Sequence, residues 1–201
     1  MIKNVVFDMG GVLVEFNPEK MISDNFPPEY HDIIIENVFR SPHWKNMDRG
    51  TETVDEAICN MLPSIPEEIR GKMREVILDR ETQMPPIKEM TPIINALHSG
   101  GYRLFVLSNC PSWLHEFKKT IPSNELFDGF FVSADYKVLK PDGIIYEMFL
   151  EKFNLKAEEC LFIDDSPANT SAAEKLGFKT FCFKDRDFCG LKDYIAQLTK
   201  E

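Results

Sequence analysis

Ile2-Lys3-Asn4-Val5-Val6-Phe7, followed at once by Asp8-Met9-Gly10-Gly11-Val12, is the stretch from which the fold is read. A short β-branched and aromatic run that stops at an acid and two glycines reads as a strand and the loop after it. Four more runs of this kind follow: Tyr102 to Leu107, Phe130 to Ser133, Cys160 to Ile163 and Lys179 to Phe183. Helical patterns separate them, over Ile87 to Leu97, Ser112 to Thr120, Ile144 to Phe153, Ala168 to Leu176 and Leu191 to Thr199. Such alternation predicts an α/β fold, a doubly wound (Rossmann-like) parallel sheet with helices on both faces. Gly100-Gly101 marks one return from helix to strand, as a glycine past a helix end should.

The rhythm breaks once. From Pro18 to Met84 no strand pattern occurs, while amphipathic helical pattern runs over Tyr30 to Phe39, Val54 to Met61 and Glu67 to Arg80. Pro27-Pro28, Pro63, Pro66 and Pro85-Pro86 mark its breaks. The expected organisation is a core of residues 1–17 and 85–201 with an all-helical cap, 18–84, inserted after the first strand.

Composition limits the function. The 201 residues are 43% hydrophobic and 28% charged, which suits a packed domain rather than a disordered chain. Lys and Arg total 23 against 33 Asp and Glu, a net charge of −10. With no surplus of cations, neither nucleic acid nor an anionic membrane is an expected partner. The first apolar run stops at Asp8, too short for a secretory signal, and no run approaches a membrane span. Five scattered cysteines without a CxxC pair read as reduced thiols, so a cytoplasmic location is expected.

Ligands of doubly wound sheets bind outside the carboxyl ends of the strands. Asp8-Met9-Gly10-Gly11 follows the first strand, Ser108-Asn109 the second and Asp164-Asp165-Ser166 the fourth, while Lys140-Pro141-Asp142 opens a helix. Carboxylates from two strands suit a hard cation such as Mg²⁺. A serine, a lysine and glycine-flanked amides suit a phosphoryl group. One oxygen of Asp8 could hold metal while the other attacks phosphorus, an established use of a carboxylate. Each feature alone is commonplace; their alignment along one sheet edge is not.

These motifs resemble the haloacid dehalogenase superfamily, in particular its members with a helical cap after the first strand. The resemblance lies in Val5-Val6-Phe7-Asp8-Met9-Gly10-Gly11-Val12-Leu13, Val106-Leu107-Ser108-Asn109, Val138-Leu139-Lys140-Pro141 and Leu161-Phe162-Ile163-Asp164-Asp165-Ser166, with Asn169, Ala172 and Gly177 beyond. It implies that Asp8 is the nucleophile, and that Ser108 and Lys140 hold phosphoryl oxygens with Asn109 beside them. The Met9 and Gly10 amides would face the transferring group. Asp165 would bind Mg²⁺ directly with Asp164 in or next to its shell, and the Gly10 carbonyl would complete the set. The implied activity is Mg²⁺-dependent hydrolysis of a small phosphorylated metabolite through an aspartyl-phosphate.

Gly10 departs from the resemblance. Phosphatases of this kind usually carry a second Asp there, as acid for the leaving alcohol and base for water. Losing a general acid-base costs about 10²–10⁴ in rate. A leaving group that needs little protonation, such as that of a sugar 1-phosphate, escapes the loss, which makes a sugar phosphate the expected substrate. Alternatively Glu15, Asp48 or His43 supplies the proton. Dehalogenase relatives also lack the second Asp, so metal-free carbon–halogen hydrolysis stays open, as does a catalytically degenerate phosphate-binding or regulatory protein. His43 and Trp44 could line the pocket or form an ordinary core pair; for Cys110, beside the site, a buried inert thiol is favoured over a reactive one.

Overall fold

The computed structural model describes residues 1–198. Five strands form one parallel sheet: β1 (Asn4–Phe7), β2 (Arg103–Ser108), β3 (Gly129–Val132), β4 (Cys160–Asp164) and β5 (Lys179–Cys182), in the order β3-β2-β1-β4-β5. Alternation along the strands sorts their side chains onto two faces. Val5 and Phe7, Leu104 and Val106, and Leu161 and Ile163 enter one core; Val6, Phe105, Leu107 and Phe162 enter the other. The register aligns these sets, with Val6 opposite Phe105 on one side and Phe162 on the other. A one-residue slip would exchange the faces, so the pattern fixes the pairing.

Between β1 and β2 lie seven α-helices, of which the first six are α1 (Pro18–Asn25), α2 (His31–Ile34), α3 (Pro42–Arg49), α4 (Val54–Met61), α5 (Glu67–Leu78) and α6 (Arg80–Gln83). A π-helical turn, Ile35–Phe39, continues α2. Ile22, Ile34, Val38, Ile58, Met61 and Met73 meet here in an apolar cluster separate from the two sheet cores. The expected helix over 54–61 is present with those bounds, and those over 30–39 and 67–80 are present with ends shifted by one or two residues. α1 and α3 are additions, each started by a side-chain cap with proline at the first turn: Asn17 accepts from the Lys20 amide and Ser41 from the Trp44 amide.

The remaining helices are α7 (Met90–Ser99), α8 (Leu114–Phe117), α9 (Ser133–Tyr136), α10 (Gly143–Phe153), α11 (Pro167–Lys175) and α12 (Phe188–Leu198). α7 and α12 pack on the face of Val5, and α10 and α11 on the face of Val6. Thr199, the expected end of the last helix, lies outside the described residues. No described helix is long and apolar enough to cross a membrane. Chain order reverses between β1 and β4, which leaves a crevice at their carboxyl ends, where such sheets bind ligands.

Candidate active site

Register alone brings the acids together. Phe7 lies opposite Ile163, and the Asp8 amide donates to the Ile163 carbonyl at 2.8 Å, which sets Asp8 level with Asp164. Oxygens of Asp8, Asp164 and Asp165 can lie within 4.8 Å of one another. Lys140 reaches into this cluster from beneath. Its side chain is 1% exposed, and its Nζ donates to Asp8 Oδ1 at 2.8 Å, Asp164 Oδ2 at 2.7 Å and the Leu107 carbonyl at 2.9 Å. Asn109 holds the lysine's backbone at both ends: its Oδ1 accepts from the Lys140 amide at 2.8 Å and its Nδ2 donates to the Lys140 carbonyl at 2.9 Å.

The three carboxylates do different things. Asp164 is fully buried and its oxygens are occupied: Oδ1 accepts from the Ser166 amide and Asn169 Nδ2, Oδ2 from Lys140 and again from Asn169. Asp165 is exposed and lies against Gly11, where a Cβ would stand 2.2 Å from Asp165 Oδ2. With φ at +74°, Gly11 is glycine for backbone and for space. Asp8 accepts the Met9 amide at 2.7 Å as well as Lys140. That amide, expected to face a phosphoryl group, is thus turned onto the Asp8 carboxylate. Among the described residues the Gly10 carbonyl accepts no hydrogen bond.

Burial pushes the Asp8 carboxyl up to about 7; Lys140 opposes the rise and Asp164 adds to it. Burial, then Asp164, also raises Asp165. Three carboxylates against one ammonium leave two negative charges in excess, and all the donors are hard oxygens. That set fits a divalent cation such as Mg²⁺, which would relieve the charge that drives Asp8 and Asp165 toward protonation.

Above the cluster opens a cavity of about 250 Å³. Asp8, Gly10, Ser108, Asn109, Lys140 and Asp165 form its floor. Its walls are mostly apolar and come largely from the helical insert, including Met21, Phe39, Trp44, Met47 and Ile77. Trp44 packs on the Phe39 ring at 4.7 Å, so the tryptophan of the His43-Trp44 pair lines the cavity. His43 instead bonds Glu52 at 2.9 Å, and Glu15 pairs with Arg186 at 3.2 Å; neither lines the cavity. Asp48, the third acid considered from sequence, does line it. Burial, reinforced by Asp8, raises its carboxyl well above the usual range. Cys110 is 2% exposed and burial pushes its thiol far up, which makes it a poor nucleophile.

Two features add to the sequence reading. Asn169 clamps both oxygens of Asp164, a role its place one turn into α11 makes reachable. Arg80 reaches the cavity wall with its guanidinium 4.5 Å from the Trp113 ring centre and its buried Nε without a hydrogen-bond partner. No sequence signal singles Arg80 out, because it looks like the last turn of the helix before it.

Known proteins resemble this chain in sequence and in fold. The model of the haloacid dehalogenase-like hydrolases matches residues 2–177. A sesquiterpene phosphatase of Aspergillus oryzae is 28% identical over 185 residues, spanning 87% of this chain and 86% of that protein. A predicted haloacid dehalogenase-like family hydrolase of Porphyromonas gingivalis superimposes with a TM-score of 0.77 at 27% identity, covering 100% of this chain and 99% of the other. A haloacid dehalogenase family enzyme of Bacteroides thetaiotaomicron, solved with magnesium and inorganic phosphate, shares the fold. Its TM-score is 0.72 at 23% identity, over 95% of this chain and 99% of the other.

Proposed function

The chain belongs to the haloacid dehalogenase-like hydrolases, and we propose that it is a Mg²⁺-dependent phosphomonoester hydrolase working through an aspartyl-phosphate on Asp8. The observation that carries this reading is the floor of the cavity, where Asp8 stands among two further acids with one buried lysine. Asp8 and Asp165 would hold the cation directly, with Asp164 bracing Lys140 from a site whose own oxygens are occupied. The cation supplies charge neutralisation, which lets an anionic ester approach an anionic nucleophile. Asp8 then attacks phosphorus through one carboxylate oxygen, the alcohol leaves, and water later cleaves the acyl phosphate. Lys140, aimed by Asn109, keeps Asp8 oriented and offsets the negative charge gathered around the phosphoryl group. Ser108 lies at the floor, where its hydroxyl can meet a phosphoryl oxygen.

The helical insert, 18–84, would be the cap that closes this floor and selects the alcohol. Its apolar walls favour an alcohol with hydrocarbon or aromatic bulk over the sugar suggested by Gly10, because few polar groups stand ready to replace water on sugar hydroxyls. The sesquiterpene phosphatase relative supports that choice. Metal-free dehalogenation is less well supported, since displacement at carbon needs no cation, whereas the Asp8–Asp164–Asp165 arrangement suits one.

Phosphate release from alkyl phosphates of increasing chain length, with Mg²⁺ or with chelator, tests the reading. Each buried methylene is worth about 0.8 kcal/mol, so kcat/KM should rise about fourfold per carbon until the cavity fills, and should vanish in chelator. A flat series with faster sugar phosphates would overturn the apolar-alcohol reading. Full activity in chelator would overturn the metal.

A further inference from the structure

The floor has everything for attack on phosphorus and no side chain at Gly10 to protonate the alcohol that leaves. A methyl group at Gly10 would stand 3.3 Å from Phe16 Cβ, so the position is crowded rather than left open for a carboxylate. We infer that Asp48, carried in from the helical insert, is the proton donor to the leaving alcohol and the acceptor of the proton of the attacking water. The inference rests on the phosphatase reading and goes beyond it by assigning the missing proton transfer.

Elimination points the same way. Apart from Asp8 itself, Asp48 and Asp165 are the acids that line the cavity among the described residues. Asp165 sits in the cation group against Gly11. Glu15 and His43 are paired elsewhere. The Asp48 carboxyl forms no hydrogen bond or ion pair with any described residue, while lying close enough to feel the charge of Asp8 and to act on Cys110. A partly buried carboxyl with no protein partner, facing the nucleophile across the substrate cavity, is placed for a ligand atom rather than for the fold.

Its position is also fixed to the sheet domain, as a proton donor must be if it is to meet the leaving oxygen. The buried Ser133 hydroxyl, at the start of α9, donates to the Asp48 carbonyl and accepts from the Cys110 amide at 2.9 Å. Two residues on, Gly50 ends α3 with φ at +74° and lies directly on Ala134, whose carbonyl oxygen would be 2.2 Å from any Cβ. The last turn of α3 is therefore seated on the sheet domain at the residue that faces Asp8.

The proton balance closes. In the first step an Asp8 oxygen bonds to phosphorus, the ester P–O bond breaks, and its electron pair takes the proton of the neutral Asp48 carboxyl, which releases the alcohol. In the second, water attacks phosphorus and the bond to Asp8 breaks. Its proton goes to the Asp48 carboxylate, so inorganic phosphate leaves and both acids return to their starting forms.

Asp48→Asn keeps the shape and removes the proton. In single turnovers with Mg²⁺ present, alcohol release from an alkyl phosphate should fall about 10²–10⁴-fold. Release of an acidic phenol from an aryl phosphate needs little protonation and should fall less than about tenfold. Asp48→Glu, which retains the acid, should recover part of the alkyl rate. Inorganic phosphate affinity and the unfolding midpoint verify that the site stays intact. Equal losses on the two esters in a folded variant, or no loss on the alkyl ester, would overturn the assignment while the phosphatase reading stands. A wild type that releases no phenol would overturn both. Should Asp48→Asn unfold, the ratio of alkyl to aryl rates in Asp48→Glu decides: an unchanged ratio overturns the assignment.

Discussion

Replacing Lys140 with Met exposes how much of the site depends on one buried ammonium. The Lys140 side chain is 1% exposed; Asp164 is 0% and Asp8 13% exposed, at 2.7 and 2.8 Å from its Nζ. Removing one partner of a buried ion pair costs about 3–5 kcal/mol, because the other charge is left uncompensated. The lower end applies here. Asp164 keeps the Ser166 amide and Asn169, Asp8 keeps the Met9 amide, and methionine refills most of the space of the lysine stem. For a chain of this size about 3 kcal/mol corresponds to a fall of about 6–12 °C in Tm.

The pH dependence has a definite sign. Burial already holds folded Asp8 up to about 7, against 3.8 for its ordinary value, with Lys140 pulling it down. A carboxyl raised on folding destabilises the fold progressively as pH climbs from its unfolded value through its folded one. Without Lys140 the folded value moves higher, so the variant goes on losing stability where the wild type has levelled off. The deficit should therefore be larger at pH 8 than at pH 5. Urea unfolding of metal-free protein at the two pH values measures it. A loss under about 1 kcal/mol, typical of an exposed pair, or a deficit that shrinks as pH rises would mean that Lys140 does not hold the buried acids in this way.

Two further outcomes follow from the same geometry. Because Asp8 and Asp165 are both raised and a cation needs them ionised, calorimetric Mg²⁺ affinity should weaken by up to about tenfold per pH unit below 7 and level off above it; constant affinity from pH 8 to pH 5 would count against these ligands. Arg80 keeps a buried Nε without a partner, so Arg80→Met should leave the unfolding free energy within about 1 kcal/mol of wild type. KM for a substrate with an acceptor on its alcohol should meanwhile rise several-fold, and an unchanged KM would assign Arg80 to the wall alone.

The sheet was legible because each strand is a short apolar run with its own terminator, and burial on both faces leaves the run little choice of structure. The strands Asn4–Phe7 and Cys160–Asp164 start or end within two residues of the runs that announced them. α1 and α3 were not legible as helices because Pro18 and Pro42 look like breaks. Each is a first-turn proline behind an Asn or Ser cap, and that pairing is the signal that would have found them. The floor of the site was legible for the same reason as the sheet: Ser108 and Asp164 close strands, and Asp8 and Asp165 come directly after strand ends. The walls were not. Which insert residues face Asp8 depends on how α3 meets α9 through Ser133 and Gly50, a contact between segments 85 residues apart in sequence. Asp48 could thus be named from sequence only alongside Glu15 and His43, and the fold separates them.

Acid-quenched mapping of the phosphoenzyme identifies the nucleophile. With Mg²⁺ and an aryl phosphate, an acid-stable, hydroxylamine-labile phosphoryl group should appear on the peptide that contains Asp8. It should be absent in chelator and absent in Asp8→Asn. A phosphoryl group on Ser108, or turnover that survives in Asp8→Asn, would contradict Asp8 as the nucleophile.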